Sequence, residues 1–108
     1  MKRILVLLAV VFAAIFVSGC GVSNVPVKIT NDLGAWNIEE VYVDLSAGPW
    51  GVNRISEVME PADEALITVP AGTYDIKLVD EDGDTYTRTN IVIGAEGYTW
   101  AVTLSDID

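Results

Sequence analysis

Residues 78–86 read Leu-Val-Asp-Glu-Asp-Gly-Asp-Thr-Tyr. Four carboxylates, on Asp80, Glu81, Asp82 and Asp84, crowd around Gly83. Calcium takes six to eight oxygen ligands, so this density of acids is the first chemistry to weigh. An EF-hand type loop needs ligands at positions 1, 3 and 5, glycine at 6 and a bidentate glutamate at 12. Counted from Asp80, Asp82 and Asp84 fill positions 3 and 5, but position 6 is Thr85 and position 12 is Ile91. The pattern fails where the loop must bend and where the cage must close. A hairpin fits better. Asp80 stands first in a type I turn, Asp82 third, and Gly83 takes the left-handed bulge position. The turn joins a strand ending at Asp80 to one starting at Asp84 and sets Leu78 opposite Tyr86. The carboxylates are then solvated charges at a hairpin tip, with no metal site. The alternative is a weak calcium site on Asp80, Asp82 and Asp84.

The chain has no histidine. That removes the commonest general base and the commonest metal ligand. Ser46, Ser56 and Ser105 therefore have no imidazole to activate them. The acid pairs Glu39-Glu40 and Asp63-Glu64 sit in polar runs beside turns, an unpromising setting for a two-carboxylate hydrolase. The reading is of a protein that is not an enzyme and needs no cofactor. Aromatic residues are more promising. Tyr98 and Trp100 lie on the apolar side of an alternating run and belong to a core. Tyr42 falls on an ambiguous side. Trp50, in Gly48-Pro49-Trp50-Gly51, is expected to lid one end of the core. If a ligand surface exists, Trp36 and Trp50 are its candidates, with carbohydrate as the ligand class.

The first three residues are Met1, Lys2 and Arg3, and residues 4–17 are wholly apolar. A basic start, an apolar stretch and small residues after it make a secretory signal. Fourteen helical residues span only about 21 Å, short of a hydrocarbon core of about 30 Å. Val17-Ser18-Gly19-Cys20 follows, and Cys20 is the only cysteine. These four residues resemble the lipobox of bacterial lipoproteins. The resemblance implies cleavage before Cys20, a diacylglyceryl group on its thiol and acylation of the new amine. Two or three acyl chains anchor a protein stably where one does not. Gly21 stands where an aspartate would resemble an inner-membrane retention signal. Outer-membrane delivery is thus expected in a host with two membranes. The expected division is a signal over 1–19, a lipidated tether over 20–26 and one domain over 27–108.

Without the signal, four cations remain against sixteen acids, a net charge of −12. Such a surface does not bind nucleic acid, and it does not lie flat on anionic lipid. A single cysteine gives no internal disulfide, so the fold must stand on its core. Seven short runs rich in β-branched and aromatic residues alternate with turn signals, over 27–30, 38–45, 53–59, 65–69, 73–80, 84–93 and 98–104. Tyr74, Ile76 and Leu78 share one side of their run, and Tyr98, Trp100, Val102 and Leu104 share one side of theirs. Period two with one apolar side means strands with one face on a core. The fold class is all-β, a single small antiparallel sandwich of about seven strands.

Three stretches carry a further resemblance: Trp50 to Asn53, Pro70 to Asp75, and Asp80 to Tyr86. They are similar to Trp-Gly-x-Asn, Pro-x-Gly-x-Tyr-Asp and Asp-x-Asp-Gly-Asp-x-Tyr motifs of small exported bacterial and archaeal β-domains without assigned activity. The resemblance implies a prealbumin-like or immunoglobulin-like sandwich and no mechanism. Where that pattern has Pro-Gly-Glu, this chain has Pro61-Ala62-Asp63-Glu64, one residue longer and without the glycine. The expected role is that of a lipid-anchored extracytoplasmic module, joined to the membrane by its lipid and acting on an envelope protein partner or as a structural element. Binding of a small ligand, carbohydrate or calcium, is the alternative.

Calcium gives the first test. A site at one hundred times its dissociation constant adds about 2.7 kcal/mol, which in a domain this small raises the melting point by about 10 °C or more. Melting curves in millimolar calcium, millimolar magnesium and excess chelator are expected to coincide. A calcium-specific rise lost in Asp82→Asn would make the hairpin tip a binding site.

Overall fold

A computed structural model describes residues 24–108, which form two three-stranded sheets packed face to face. The strands are β1 (Asn24–Asn31), β2 (Ile38–Leu45), β3 (Glu64–Pro70), β4 (Gly72–Asp80), β5 (Thr85–Ile93) and β6 (Tyr98–Val102). One sheet has the order β3-β1-β6, the other β2-β4-β5. All neighbours are antiparallel except β1 and β6, which run parallel from Val27↔Tyr98 to Asn31↔Val102. The all-β sandwich expected from the alternating runs is present.

Its core follows the period of two. Val27 and Ile29 of β1, Val41 and Val43 of β2, Ile76 and Leu78 of β4, and Trp100 and Val102 of β6 are buried between the sheets. Leu104 does not continue the series. The strand ends at Val102, and Leu104 opens a 3₁₀ turn in which it is half exposed. The turn forms because the Asp106 carboxylate reaches back to the Thr103 amide at 2.9 Å and breaks the extended run.

β1 begins at Asn24, three residues before the expected start. Val25 is already buried and pairs with Val69. Pro26 is tolerated because β6 pairs with β1 only from Val27 onward, so its missing amide leaves no gap in a ladder.

The run over 53–59 is not a strand. It follows the free edge of β2, but side chains replace most of a backbone ladder. Asn53 Oδ1 accepts the amides of Val41 (2.9 Å) and Ile55 (3.1 Å). The Arg54 amide donates to the Val41 carbonyl, and its guanidinium donates to the Val43 carbonyl, both at 2.7 Å. Met59 closes the segment with a single bridge to Ile38. On the far edge of the same sheet, the Asp108 carboxylate accepts the Thr87 amide and the hydroxyls of Thr85 and Thr87. The β2 edge and the start of the β5 edge are thereby covered without a further strand, which hinders edge-to-edge association there.

The seam between β5 and β6 is closed by Arg88. Its guanidinium lies 4.2 Å from the centre of the Trp100 ring and donates to the Tyr98 hydroxyl at 2.6 Å. At the β3–β4 corner the Tyr74 hydroxyl donates back to the Pro70 carbonyl at 2.7 Å. Gly72 passes beneath that ring, where a Cβ would sit 3.3 Å from it.

Ala62, in the turn where the resembled pattern has a glycine, has a φ of +75°. A Cβ in the left-handed region costs roughly 1–2 kcal/mol. Part of that is offset by the greater freedom glycine has when unfolded. Ala62→Gly is expected to stabilise the domain by about 0.5–1 kcal/mol, a rise of several degrees in melting temperature. An unchanged or lower melting temperature would mean that the turn carries no strain.

Candidate functional site

The acidic hairpin has the expected geometry. Gly83 N–H donates to the Asp80 carbonyl at 3.0 Å, Asp80 N–H donates to the Asp84 carbonyl at 2.9 Å, and Gly83 has φ +85°. Leu78 lies opposite Tyr86. A Cβ at Gly83 would meet nothing within 4 Å, so the glycine is required for its backbone angle alone.

One acid departs from the expectation of solvated tip charges. Asp80 is 2 % exposed. Its Oδ1 accepts the amides of Asp82 (2.9 Å) and Asp84 (3.0 Å), and its Oδ2 accepts the buried Tyr86 hydroxyl at 2.8 Å. Three donors replace the water that burial removes, as a buried carboxylate requires. Asp80 is thus a structural group whose oxygens are committed inside the fold. Glu81, Asp82 and Asp84 are exposed. Glu81 also accepts the Asn37 amide at 2.7 Å and ties the hairpin to the β1–β2 loop. No group of three or more potential metal ligands converges among the described residues.

Beside that loop lies a second buried polar group. Asn31 is 1 % exposed. Its amide nitrogen donates to the carbonyls of Trp36 and Met59, both at 2.9 Å, and its Oδ1 accepts the Leu33 amide at 3.0 Å.

The two tryptophan candidates separate. Trp36 is half buried and packs on the core. Trp50 does not lid the core. It is 37 % exposed and lies on the outer face of the β2-β4-β5 sheet, against Tyr42, with ring centres 6.2 Å apart and planes tilted by 53°. Lys77, opposite Tyr42 in the ladder, places its ammonium 5.0 Å from the Tyr42 ring centre and 5.1 Å from that of Trp50. Exposed cation–π contacts of this kind contribute about 0.5–1 kcal/mol each.

The residues around Trp50 hold it there. Gly51 donates its amide to Asp44 Oδ2 at 2.9 Å, and a Cβ on Gly51 would come within 2.9 Å of the other Asp44 oxygen. Asn53 then locks the chain to β2. Trp50-Gly51-Val52-Asn53 is therefore a device that fastens a loop to a sheet edge and turns the indole outward. Tyr42, whose side was ambiguous in the sequence, belongs to this outer face. Its hydroxyl donates to Glu40, and that hydrogen bond, more than burial, raises its pKa above the ordinary tyrosine value. Nearby, Asp75 accepts the Asn90 amide, the Ser46 hydroxyl and the Ala47 amide. The Asn90 bond first and the Ser46 bond second hold its carboxyl below the usual aspartate range.

Cys20 and residues 1–19 lie outside the described residues. Among those described, no helix is long and apolar enough to cross a membrane. Compared with protein families, with characterised proteins and with solved structures, the chain finds no match.

Tyr86 supplies a pH test of the buried pair. Its hydroxyl is pushed well above the ordinary tyrosine pKa, by burial first and then by its bond to Asp80. The fold favours the neutral hydroxyl, whereas the unfolded chain ionises near pH 10. The contribution is complete below about pH 10 and is lost as pH rises beyond it. Melting temperature should fall above about pH 10. Tyr86→Phe should start lower, by about 1–3 kcal/mol for the donor removed from Asp80, and lose less on the way to pH 11.5. Parallel curves for the two proteins would disprove the linkage.

Proposed function

We propose that the chain is an extracytoplasmic lipoprotein. Its signal is removed, its lipid sits on Cys20, and its sandwich is a non-catalytic interaction module of the cell envelope. The contact face is the outer side of the β2-β4-β5 sheet. The observation that carries this reading is the shelf of Trp50, Tyr42 and Lys77 on that side. Among the three tryptophans, Trp100 is buried and Trp36 packs on the core. Trp50 alone is turned outward, and the chain holds it there with Gly51 and Asn53. Tryptophan and tyrosine are enriched at protein interfaces, where a rigid ring buries much area at little entropic cost. The lipobox-like Val17-Ser18-Gly19-Cys20 supports the anchor.

The same shelf favours a second reading. A tilted aromatic pair flanked by the carboxylates of Glu40 and Asp44 suits the apolar face and hydroxyls of a sugar ring. The hairpin acids support a small-ligand role less well, because the Asp80 oxygens are occupied.

Two measurements test these readings. Wild-type cells should incorporate labelled fatty acid into this protein and Cys20→Ala cells should not; label in the variant would remove the anchor. A photo-crosslinking residue in place of Trp50 should give a protein adduct in intact envelopes, while the same residue in place of Thr99, exposed on the other sheet, should not. Equal adducts at both positions, or none at either, would count against the shelf. Loss of the Trp50 adduct on adding soluble envelope glycans would favour the sugar reading.

A further inference from the structure

The sandwich is electrically polar along its strands. Its two ends are made by different loops. At one end lie the start of β1, the loop over 46–49, the β3–β4 corner and the loop over 94–97. At the other lie the β1–β2 loop, the turn before β3, the acidic hairpin and the 3₁₀ turn.

The far end is acidic. Asp32, Glu60, Asp63, Glu81, Asp82 and Asp84 are all exposed there. The near end exposes apolar side chains with few free acids, whereas at the far end the half-exposed Leu104 and Ile107 stand among the carboxylates. Leu45 is 64 % exposed although its place in β2 aims it at the core, and Val92 is 78 % exposed. Ala47, Pro49, Pro70 and Ala71 are exposed around them. A cavity of about 490 Å³ opens between β2 and β3 at this end, with Leu45, Pro49, Val69, Pro70 and Tyr74 in its walls. Three acids lie towards this end, Asp44, Asp75 and Glu96. Asp44 is engaged by Arg54 and the Gly51 amide, and Asp75 by three donors. Glu96 alone is left to solvent there.

We propose that the near end is a membrane-contact surface. In this view Leu45, Val92 and the apolar loops around them rest in the headgroup boundary of the bilayer that carries the protein. The inference rests on the lipid anchor at Cys20. Only residues 21–23 separate Cys20 from Asn24, the first residue of β1. Four residue steps reach at most about 14 Å. Because β1 starts at the apolar end, that end is the one held against the lipid. The charge arrangement agrees. Eight residues of β1 carry the far-end acids roughly 26 Å from the surface, at about 3.3 Å per residue. This is some three times the screening length of about 8 Å at physiological salt. The far-end acids are thus borne with little repulsion from a membrane. An inverted domain would press its acids onto the headgroups.

The lipidated full chain in phospholipid vesicles gives the test. Acylation blocks Cys20, so one new thiol can be labelled with a polarity-sensitive dye. Leu45→Cys and Asp82→Cys place it at the two ends, both on exposed side chains. The expected result is a blue shift at position 45, quenched by lipids brominated near the headgroup, with no change at position 82. Val92→Glu should reduce the shift at position 45. Vesicle flotation is measured on the same samples. If the protein floats and position 45 remains fully hydrated, or position 82 is quenched, the contact surface is wrong and the anchor stands. If it does not float, the anchor fails and the contact surface with it. A shift at position 45 in native envelopes but not in protein-free vesicles would assign this end to a protein partner instead.

Discussion

The β2-β4-β5 sheet depends on one buried carboxylate. Asp80 ends β4, directs the chain into the hairpin through two backbone amides and receives the hydroxyl of Tyr86 from β5. Turn geometry and strand register are thus set by the same two oxygens. A slip of one residue between β4 and β5 would carry Tyr86 to the outer face and leave Asp80 buried without its donor, at a cost of several kcal/mol. Burial of this charge therefore excludes the wrong registers more than it strengthens the right one. Asn31 has the corresponding role for the other sheet. It joins the end of β1 to the two segments that flank the start of β2.

A domain this small covers only about 60 % of its unfolded surface, and many of its large side chains are committed to the core. The outer face of the β2-β4-β5 sheet is where it departs from that economy. Trp50 is held outside, on a loop fixed by a glycine whose amide donates to Asp44 and an asparagine that takes the place of a strand. Much local order is invested in presenting a residue that lies outside the core. That is the physical content of the proposal that this face binds.

Where the sequence carried a period or a turn rule, the structure was legible in advance. The alternation of Tyr74, Ile76 and Leu78 identified a core face. The spacing of Asp80, Asp82 and Gly83 identified the hairpin and set Leu78 opposite Tyr86. What was illegible depended on partners distant in sequence. Asp80 reads as a tip charge until Tyr86 is folded over it. Asn31 reads as a loop residue until the Trp36 and Met59 carbonyls meet it. The run over 53–59 has a strand's composition, but its ladder is made by side chains, which no period records. Trp36 and Trp50 are alike in sequence, and only Gly51 and Asn53 separated them. Those two residues belong to the motif that carried the family resemblance, yet their action on the β2 edge has no counterpart in a pattern of letters.

The parallel pairing of β1 with β6 has a consequence for how the molecule is made. Val27 and Tyr98 meet across about seventy residues of intervening chain, and closing so long a loop is slow compared with closing a hairpin. The β4–β5 hairpin can form within its own segment. The pairing of β1 with β6 must wait until nearly all of the chain has arrived. The β1–β6 pairing is therefore the last in which β1 can take part. A sheet completed in that way remains open on one side of β1 until almost the whole length of the chain is available.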